Sequence, residues 1–400
     1  MTDTAPAGEA TPPSHFSDYQ LGIYVNGMFL DQQPEITTDL AALETRAAAV
    51  LGPDALGYIV PSAGSGRTAR ANVAAFDRWR LVPRMFRDHA VRDHAVTVLG
   101  TTMPAPVLFC PVGVQKLAHP DGELATARAA QSLGLTFVHS TQASHSIEEV
   151  AEANGDGSRW YQLYWPTDDE LCVSLLQRAK ASGYTHLVIT LDTTLLGWRP
   201  ADLDRGYLPF LQAEGIANYT SDPVFRSRLA KPAEEDPAGA GITFAGVFPN
   251  PGLSWDQLPF IREHWDGPIL LKGIQAVEDA RLAVQHGVDG IIVSNHGGRQ
   301  VDGAVASLDA LPGIADAVGG QLAILFDSGV RTGSDVVKAI ALGADAVLVG
   351  RPYLYGLALG GQAGVEHVLR SLLAEMDLTV GNAGYRSVHD LTAASLMRAD

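Results

Sequence analysis

The chain is poor in the features that mark several large protein classes. Only two cysteines occur in 400 residues, Cys110 and Cys172, each inside an apolar stretch. That number supports no disulfide framework, no His or Cys spacing resembles a metal site, and no metal is expected. A run of about 18 apolar residues is also missing, which excludes a membrane-spanning helix. Basic residues are scarce: 28 Lys and Arg against 45 Asp and Glu give a formal net charge of −17. Such a surface repels phosphate backbones and anionic lipids, so neither nucleic acid nor membrane is expected as a partner. The opening MTDTAPAGEATPPSHF lacks the basic start and apolar core of a secretory signal. It reads as a flexible tail, residues 1–18, on a cytoplasmic protein.

What the chain does contain is 46% hydrophobic and 18% charged residues, enough to bury a substantial core. Its length accommodates one (β/α)8 unit of about 250 residues plus an accessory segment. From about residue 105, short β-rich runs alternate with helical stretches, a rhythm that implies parallel strands and crossover helices. The runs begin at Val107, Thr136, Trp160, His186, Pro268, Gly290, Ala323 and Ala346. Eight closes a barrel, so the expected fold is an α/β (β/α)8 TIM barrel over residues 107–400. Residues 19–106 are expected as helices and a short hairpin packing on it. The competing open doubly wound sheet would show a Gly-rich turn after its first strand. Gly64 to Ala69 fits G-x-G-x-x-A, but Pro61 and Ser62 interrupt the preceding run and no strand follows at the right distance. Residues 193–253 show no regular periodicity, and RLAKPAEEDPAGAG within them has linker composition. A lid or insertion loop is expected there.

The polar residues that end the runs form a chemical inventory, and barrel active sites lie at that carboxyl-terminal face. The third run ends in Gln162 and Tyr164, the fourth in Thr190 and Asp192, the fifth in Lys272. The sixth ends in SNHGGRQ, residues 294–300, the seventh in Asp327-Ser328-Gly329, the eighth in Gly350-Arg351. Turns after the last two strands often bind phosphate, and Gly329, Arg331, Gly333, Ser334 and Arg351 suit that role; a surface ion pair with capping glycines is the plainer alternative. Lys272 closes an apolar strand, where an ammonium is costly without a negative neighbour. It suits a Schiff-base lysine, an electrostatic stabiliser or a side chain snorkelling to solvent. His296 can accept a proton near neutral pH, and Arg299 can dock a carboxylate through its planar fork. Asp192, across the mouth, can orient the imidazole.

Together SNHGGRQ, LLKGI around Lys272 and DSGVR at Asp327 resemble the FMN-dependent 2-hydroxy-acid oxidising family, from about Ala55 to the C-terminus. The stretches LDTTLLGWRPADL, NYTSDPVF and LFDSGVRTGSDVVKA are most similar to its lactate 2-monooxygenase branch. The resemblance implies FMN as cofactor, a small 2-hydroxy acid and O2 as substrates, and a homotetramer or homo-octamer. It casts His296 as base, Asp192 as its carboxylate partner, and Arg199 and Arg299 as the clamp on the substrate carboxylate. Tyr58 and Tyr164 would contact the substrate. Pro111, Val112 and Gly113 would face the flavin ring, with Ser140, Gln162 and Thr190 at its polar edge. Lys272 would stabilise negative charge on the reduced ring, with Ser294 near the ribityl chain. Asp327 would bind the ribityl hydroxyls, and Gly329, Arg331, Gly350 and Arg351 the phosphate, with Ser328 also among the cofactor-binding residues. The implied reaction turns lactate and O2 into acetate, CO2 and water, or into pyruvate and hydrogen peroxide where the keto acid escapes. Gln142 replaces a frequent aromatic, Ser328 a frequent glycine, and VPSAG around Pro61 departs from the usual run. Two readings of other classes stay open: a non-flavin lyase using Lys272 as an imine-forming aldolase lysine, and a non-catalytic flavin carrier.

Overall fold

The structure, a computed structural model, describes residues 15–399. Most of the expected 1–18 tail, residues 1–14, lies outside them. Residues 15–18 are docked: Phe16 stacks on His94 at 6.4 Å, and the Ser17 N–H donates to Asp377.

Eight parallel strands close a barrel in chain order. They are β1 (Val107–Phe109), β2 (Thr136–Ser140), β3 (Arg159–Leu163), β4 (Leu187–Thr190), β5 (Ile269–Ile274), β6 (Gly290–Val293), β7 (Ala323–Phe326) and β8 (Ala346–Val349). Closure comes from β8 on β1, where Val347 pairs with Val107 and Val349 with Phe109. Every residue of β1, β4, β6 and β8 is buried, because helices cover the outer face while side chains fill the inner one. That two-sided burial is why the sequence shows unbroken apolar runs here rather than alternation. The eight expected runs and the eight strands coincide to within two residues at each end.

The covering helices are α1 (Gly122–Leu133), α2 (Ile147–Asn154), α3 (Asp169–Ala181), α4 (Leu258–His264), α5 (Val277–Gln285), α6 (Ser307–Val318), α7 (Gly333–Ala341) and α8 (Arg351–Asn382). Capping boxes start α2 at Ser146 with Glu149, and α7 at Thr332 with Asp335. α8 is broken at Gly360 and Gly361, so its second half folds back over the barrel wall. Among the described residues, no helix is long and apolar enough to cross a membrane.

Before the barrel the chain forms a helix over Arg67–Asp77 and an antiparallel hairpin, Val96–Val98 with Thr101–Met103. The G-x-G-x-x-A stretch lies at the start of that helix, where Asp302 accepts from Ser65 N–H at 2.7 Å and Thr68 N–H at 3.2 Å. These glycines therefore make a helix entry held by a carboxylate. Trp79–Leu81 pairs with Leu396–Arg398, tying the segment to the C-terminal end.

The stretch 193–253 differs from the loop expected of it. It folds into short helices at Pro200–Arg205, Pro209–Gln212, Ala217–Thr220, Pro223–Arg228 and Pro237–Val247. Four of them start with proline in the first turn, a position that needs no N–H donor, so residues that read as loop punctuation are helix starts. Most of these helices are too short to display a 3.6-residue period. Phe210, Tyr219, Phe225, Phe244 and Phe248 form a small aromatic core among them, with ring centroids 4.9–5.6 Å apart. Tyr164 joins it through Phe248 at 5.4 Å, which fixes the stretch beside the barrel mouth.

Candidate active site

At the carboxyl ends of the strands lies a cleft with about 1050 Å³ of atom-free space. Its walls bring together Tyr58, Tyr164, Arg199, Lys272, His296 and Arg299. Toward β1 it is bounded by Pro111, Val112 and Gly113, and toward β7 and β8 by Asp327, Ser328, Gly329, Arg331, Gly350 and Arg351. The other expected residues, Asp192, Ser140, Gln162, Thr190 and Ser294, stand behind these walls as a supporting layer.

His296 follows β6 in a left-handed backbone conformation, φ 59°, uncommon for a residue with a Cβ. Its neighbours fix it: its N–H donates to Ser294 Oγ at 3.1 Å, and Nδ1 lies 2.8 Å from Asp192 Oδ1. Thr193 Oγ1 bridges the same pair, 2.9 Å from Asp192 and 3.1 Å from His296 Nδ1. Nδ1 thus carries the proton shared with the carboxylate, and Nε2 faces the cleft 3.5 Å from Tyr164 Oη. Burial lowers the His296 pKa against the opposing pull of Asp192, so the imidazole is neutral at neutral pH and free to accept a proton. Burial would raise Asp192, but the His296 charge and hydrogen bond overcome it and hold the carboxylate below its ordinary range.

Lys272 is 3% exposed and lies two residues before the end of β5, beside a bulge at Gly273 that shifts the register to β6. Its Nζ donates to Ser294 Oγ at 3.0 Å and lies 3.1 Å from Asp327 Oδ2; Ser294 in turn donates to Asp327 Oδ1 at 2.6 Å. Burial works against the ammonium, yet Asp327 and then Asp192 outweigh it and raise the pKa above the ordinary lysine value. Lys272 is therefore a fixed cation, whereas imine formation needs a neutral amine.

The arginines are the least satisfied groups in the cleft. Arg199 donates to the Arg299 carbonyl at 3.2 Å and to Gln300 Oε1 at 2.9 Å; Arg299 donates to the Pro61 carbonyl at 2.8 Å and lies 5.3 Å over the Tyr58 ring. Among the described residues no carboxylate lies within ion-pair distance of Arg299, Arg331 or Arg351, and Arg199 has only Asp202 at 4.0 Å. Burial and the adjacent Arg199 charge push Arg299 down to about 9, still cationic at neutral pH and in want of an anion.

The residues present fit FMN. Arg351 Nε is buried without a partner while its other nitrogens donate to the Gly297 and Pro61 carbonyls, and Arg331 donates to the Val330 carbonyl, so among the described residues two cations stand without an anionic partner at the end suited to a phosphate. The fixed Lys272 cation lies on the floor. Ser140 Oγ donates to Gln162 Oε1 at 3.0 Å and Gln162 Nε2 to Thr190 Oγ1 at 2.9 Å, a buried polar string beneath the Pro111–Gly113 wall. One expectation is corrected: the Gly333 N–H is not available to a phosphate. The N–H groups at the α7 start are occupied, those of Arg331 and Thr332 by Asp335 and that of Gly333 by Glu375. A Cβ on Gly333 would meet Met376 N at 2.2 Å, so that glycine serves the packing of α7 on α8.

Several members of the site escaped the sequence reading. Cys110, Leu196 and Phe210 line the cleft, and Thr193 bridges His296 and Asp192. Asn72 and Asn295 exchange amide hydrogen bonds at 2.8 and 2.7 Å, anchoring the Arg67–Asp77 helix to the SNHGGRQ turn. A Cβ on Gly298, φ 78°, would meet Ala69 N at 2.6 Å, so this turn packs against that helix only with glycine there. No local pattern marks a contact made across more than 200 residues.

Comparison with known proteins agrees with this construction. The chain matches the FMN-dependent dehydrogenase family over residues 47–398. It is 48% identical over 390 residues to the Penicillium citrinum FMN-dependent alpha-hydroxy acid dehydrogenase qulF, covering 97% of each chain. It is 43% identical to a Lysinibacillus sphaericus L-lactate oxidase, covering 90% of this chain and 92% of that one. A mandelate oxidase crystal structure with (S)-4-hydroxymandelic acid superposes with a TM-score of 0.81 at 38% identity, over 91% of this chain and 99% of that one. The chain belongs to the FMN-dependent dehydrogenase family, and FMN is its cofactor.

Proposed function

We propose that the chain oxidises an L-2-hydroxy acid, with lactate as the reference substrate and acetate, CO2 and water as the products with O2. The observation that carries the reading is His296, its Nδ1 held by Asp192 at 2.8 Å, lining one cleft with Arg299, which has no carboxylate within ion-pair distance among the described residues, and Arg199, whose nearest is Asp202 at 4.0 Å. FMN, when bound, accepts the two electrons removed from the substrate C2 and passes them to O2. Arg299 and Arg199 bind the substrate carboxylate, supplying the anion these cations lack. Tyr58 and Tyr164 orient the substrate, and His296 takes a proton at Nε2 while Asp192 stabilises the resulting imidazolium. Lys272 keeps a positive charge on the floor of the cleft throughout.

The monooxygenase outcome draws support from the ordered stretch 193–253, which sets Thr193, Leu196, Arg199 and Phe210 over the cleft and hinders escape of the keto acid. The oxidase outcome, pyruvate and hydrogen peroxide, draws support from the relatives named L-lactate oxidase and, in Homo sapiens, 2-Hydroxyacid oxidase 1. Measuring acetate and peroxide against O2 consumed during lactate turnover decides between them: equimolar acetate upholds the monooxygenase, equimolar peroxide replaces it with the oxidase. His296→Gln should keep FMN bound and lower turnover by about 10²–10⁴-fold. Anaerobic lactate should bleach the wild-type flavin and leave the variant yellow; fast bleaching of the variant would remove His296 from the role. A non-catalytic carrier would stay oxidised in both.

A further inference from the structure

The helix Asp18–Leu30, DYQLGIYVNGMFL, carries one charged residue, Asp18, in 13, and none of its residues is buried. A helix that is apolar all round belongs in an interior. This one lies on the surface, ahead of residue 47, where the segment shared with the family begins. Tyr19, Ile23 and Gly27 are half-buried on its underside, while Leu21, Val25, Met28 and Phe29 are spaced as one stripe and exposed, Met28 by 76% and Phe29 by 75%. Beside the helix runs a groove with about 1210 Å³ of atom-free space, walled by Ile23 and Tyr24, by Leu81 and Pro83, and by Leu378 of α8. Just past Pro83 the chain exposes Met85 and Phe86. Phe86 is fully exposed at φ 56°, a left-handed conformation that disfavours a residue with a Cβ, so the backbone is strained while the ring covers nothing in its own chain.

Stripe and loop together leave on the order of 800 Å² of apolar side chain uncovered, where the largest patch on a typical monomer is about 300–600 Å² and one partner's share of a stable interface is about 800 Å². The charges around the patch are complementary to a second copy of it. Residues 18–35 hold Asp18, Asp31 and Glu35 and no base, whereas residues 80–87 hold Arg80, Arg84 and Arg87 and no acid. A helix lying on a lipid surface would carry Lys or Arg along its polar side, and this one has neither.

We propose that this face is a two-fold interface between two copies of the chain. Stripe and groove lie side by side, so a two-fold rotation seats the Met28–Phe29 ridge of each copy in the groove of the other and brings the acidic segment of one to the Arg84–Arg87 loop of the other. Each copy keeps a whole cleft, because Lys272, His296, Arg199 and Arg299 come from one chain.

The test measures the mass of the FMN-loaded full chain in solution by light scattering. Met28→Glu combined with Phe29→Glu should halve the number of copies in the assembly, since breaking a two-fold contact leaves two equal parts whatever other contacts exist, and FMN content should not change. Phe86→Ser, which removes only an exposed side chain, should raise the concentration at which the assembly falls apart on dilution by about tenfold or more, and it decides alone where the double variant fails to fold. A monomeric wild type, or an assembly unchanged in either variant, would overturn the proposal. So would a wild type that floats with vesicles of phosphatidylcholine and phosphatidylglycerol and loses that binding in the double variant, which would give the face to lipid.

Discussion

Two buried charge clusters in this molecule are built on opposite principles. On α8, Asp377 is surrounded by donors: Arg92 grips both oxygens, His94 Nε2 lies at 2.9 Å and the Ser17 N–H at 2.9 Å. At the barrel mouth, Arg199, Arg299 and Arg351 give most of their hydrogen bonds to backbone carbonyls, and among the described residues the one carboxylate within ion-pair distance of them is Asp202, 4.0 Å from Arg199. The first cluster is complete without a ligand and joins the N-terminal residues to the last helix. The second is complete only when anions arrive. A satisfied buried charge marks structure, and an unsatisfied one marks a binding site.

The comparison breaks most visibly by removing a charge from each. Asp377→Asn strands Arg92 and His94, and breaking such a buried pair costs about 3–5 kcal/mol. Urea unfolding should register that loss while KM for the hydroxy acid stays put. Arg299→Met should act the other way. It should raise KM and lower kcat/KM by a factor on the order of 10²–10³, as loss of a buried charge partner does. Stability without substrate should be unchanged or higher, because one of two adjacent unneutralised cations is gone. A destabilised Arg299→Met would make that arginine structural and erase the contrast.

Acid sharpens the same contrast. Burial raises Asp377, but the Arg92 and His94 hydrogen bonds prevail and hold it well below the usual carboxylate range. Since its folded pKa lies below the unfolded value of about 3.9, its stabilisation is fully present above that pH and fades as pH falls through the folded value. Wild type and Asp377→Asn should therefore converge in stability on acidification. At the mouth, kcat/KM should be flat through neutrality and fall only below the ordinary imidazole value of about 6.5, as His296 becomes protonated. A decline already beginning at pH 8 would contradict the neutral imidazole.

How much of this was legible before the fold was known follows from where each residue's partners lie in the chain. The barrel strands are buried on both faces, so eight apolar runs declared them, and the polar residue ending each run had to face the mouth. His296, Lys272, Arg299 and Asp327 were readable on that ground alone. The α7 start was misread because its N–H groups look available locally, while Glu375, their partner at Gly333, arrives from 42 residues away. The helices of 193–253 were hidden by their own prolines and by their brevity. Asn72 carries no local pattern at all; only the folded surroundings show that its amide pairs with that of Asn295.

Ser328 offers the smallest and most discriminating change. It sits at φ 84°, a conformation glycine adopts at no steric cost, and yet a serine is there. Its hydroxyl donates to Asp327 Oδ1 at 2.7 Å and accepts from Gly297 N–H at 3.0 Å, linking Asp327, the carboxylate paired with Lys272, to the turn that presents His296. The strain costs about 1–2 kcal/mol and the hydroxyl's hydrogen bonds, a longer one from Asn295 N–H at 3.4 Å included, return roughly as much, so Ser328→Gly should change global stability by less than about 1 kcal/mol. Turnover should respond where stability does not. With the His296 turn released on one side, kcat should fall several-fold at nearly constant KM, and Ser328→Ala, which keeps the strain and loses the hydroxyl, should be worse than Ser328→Gly in both respects. Equal kcat in all three proteins would show that Asp192 and Ser294 suffice to hold the imidazole.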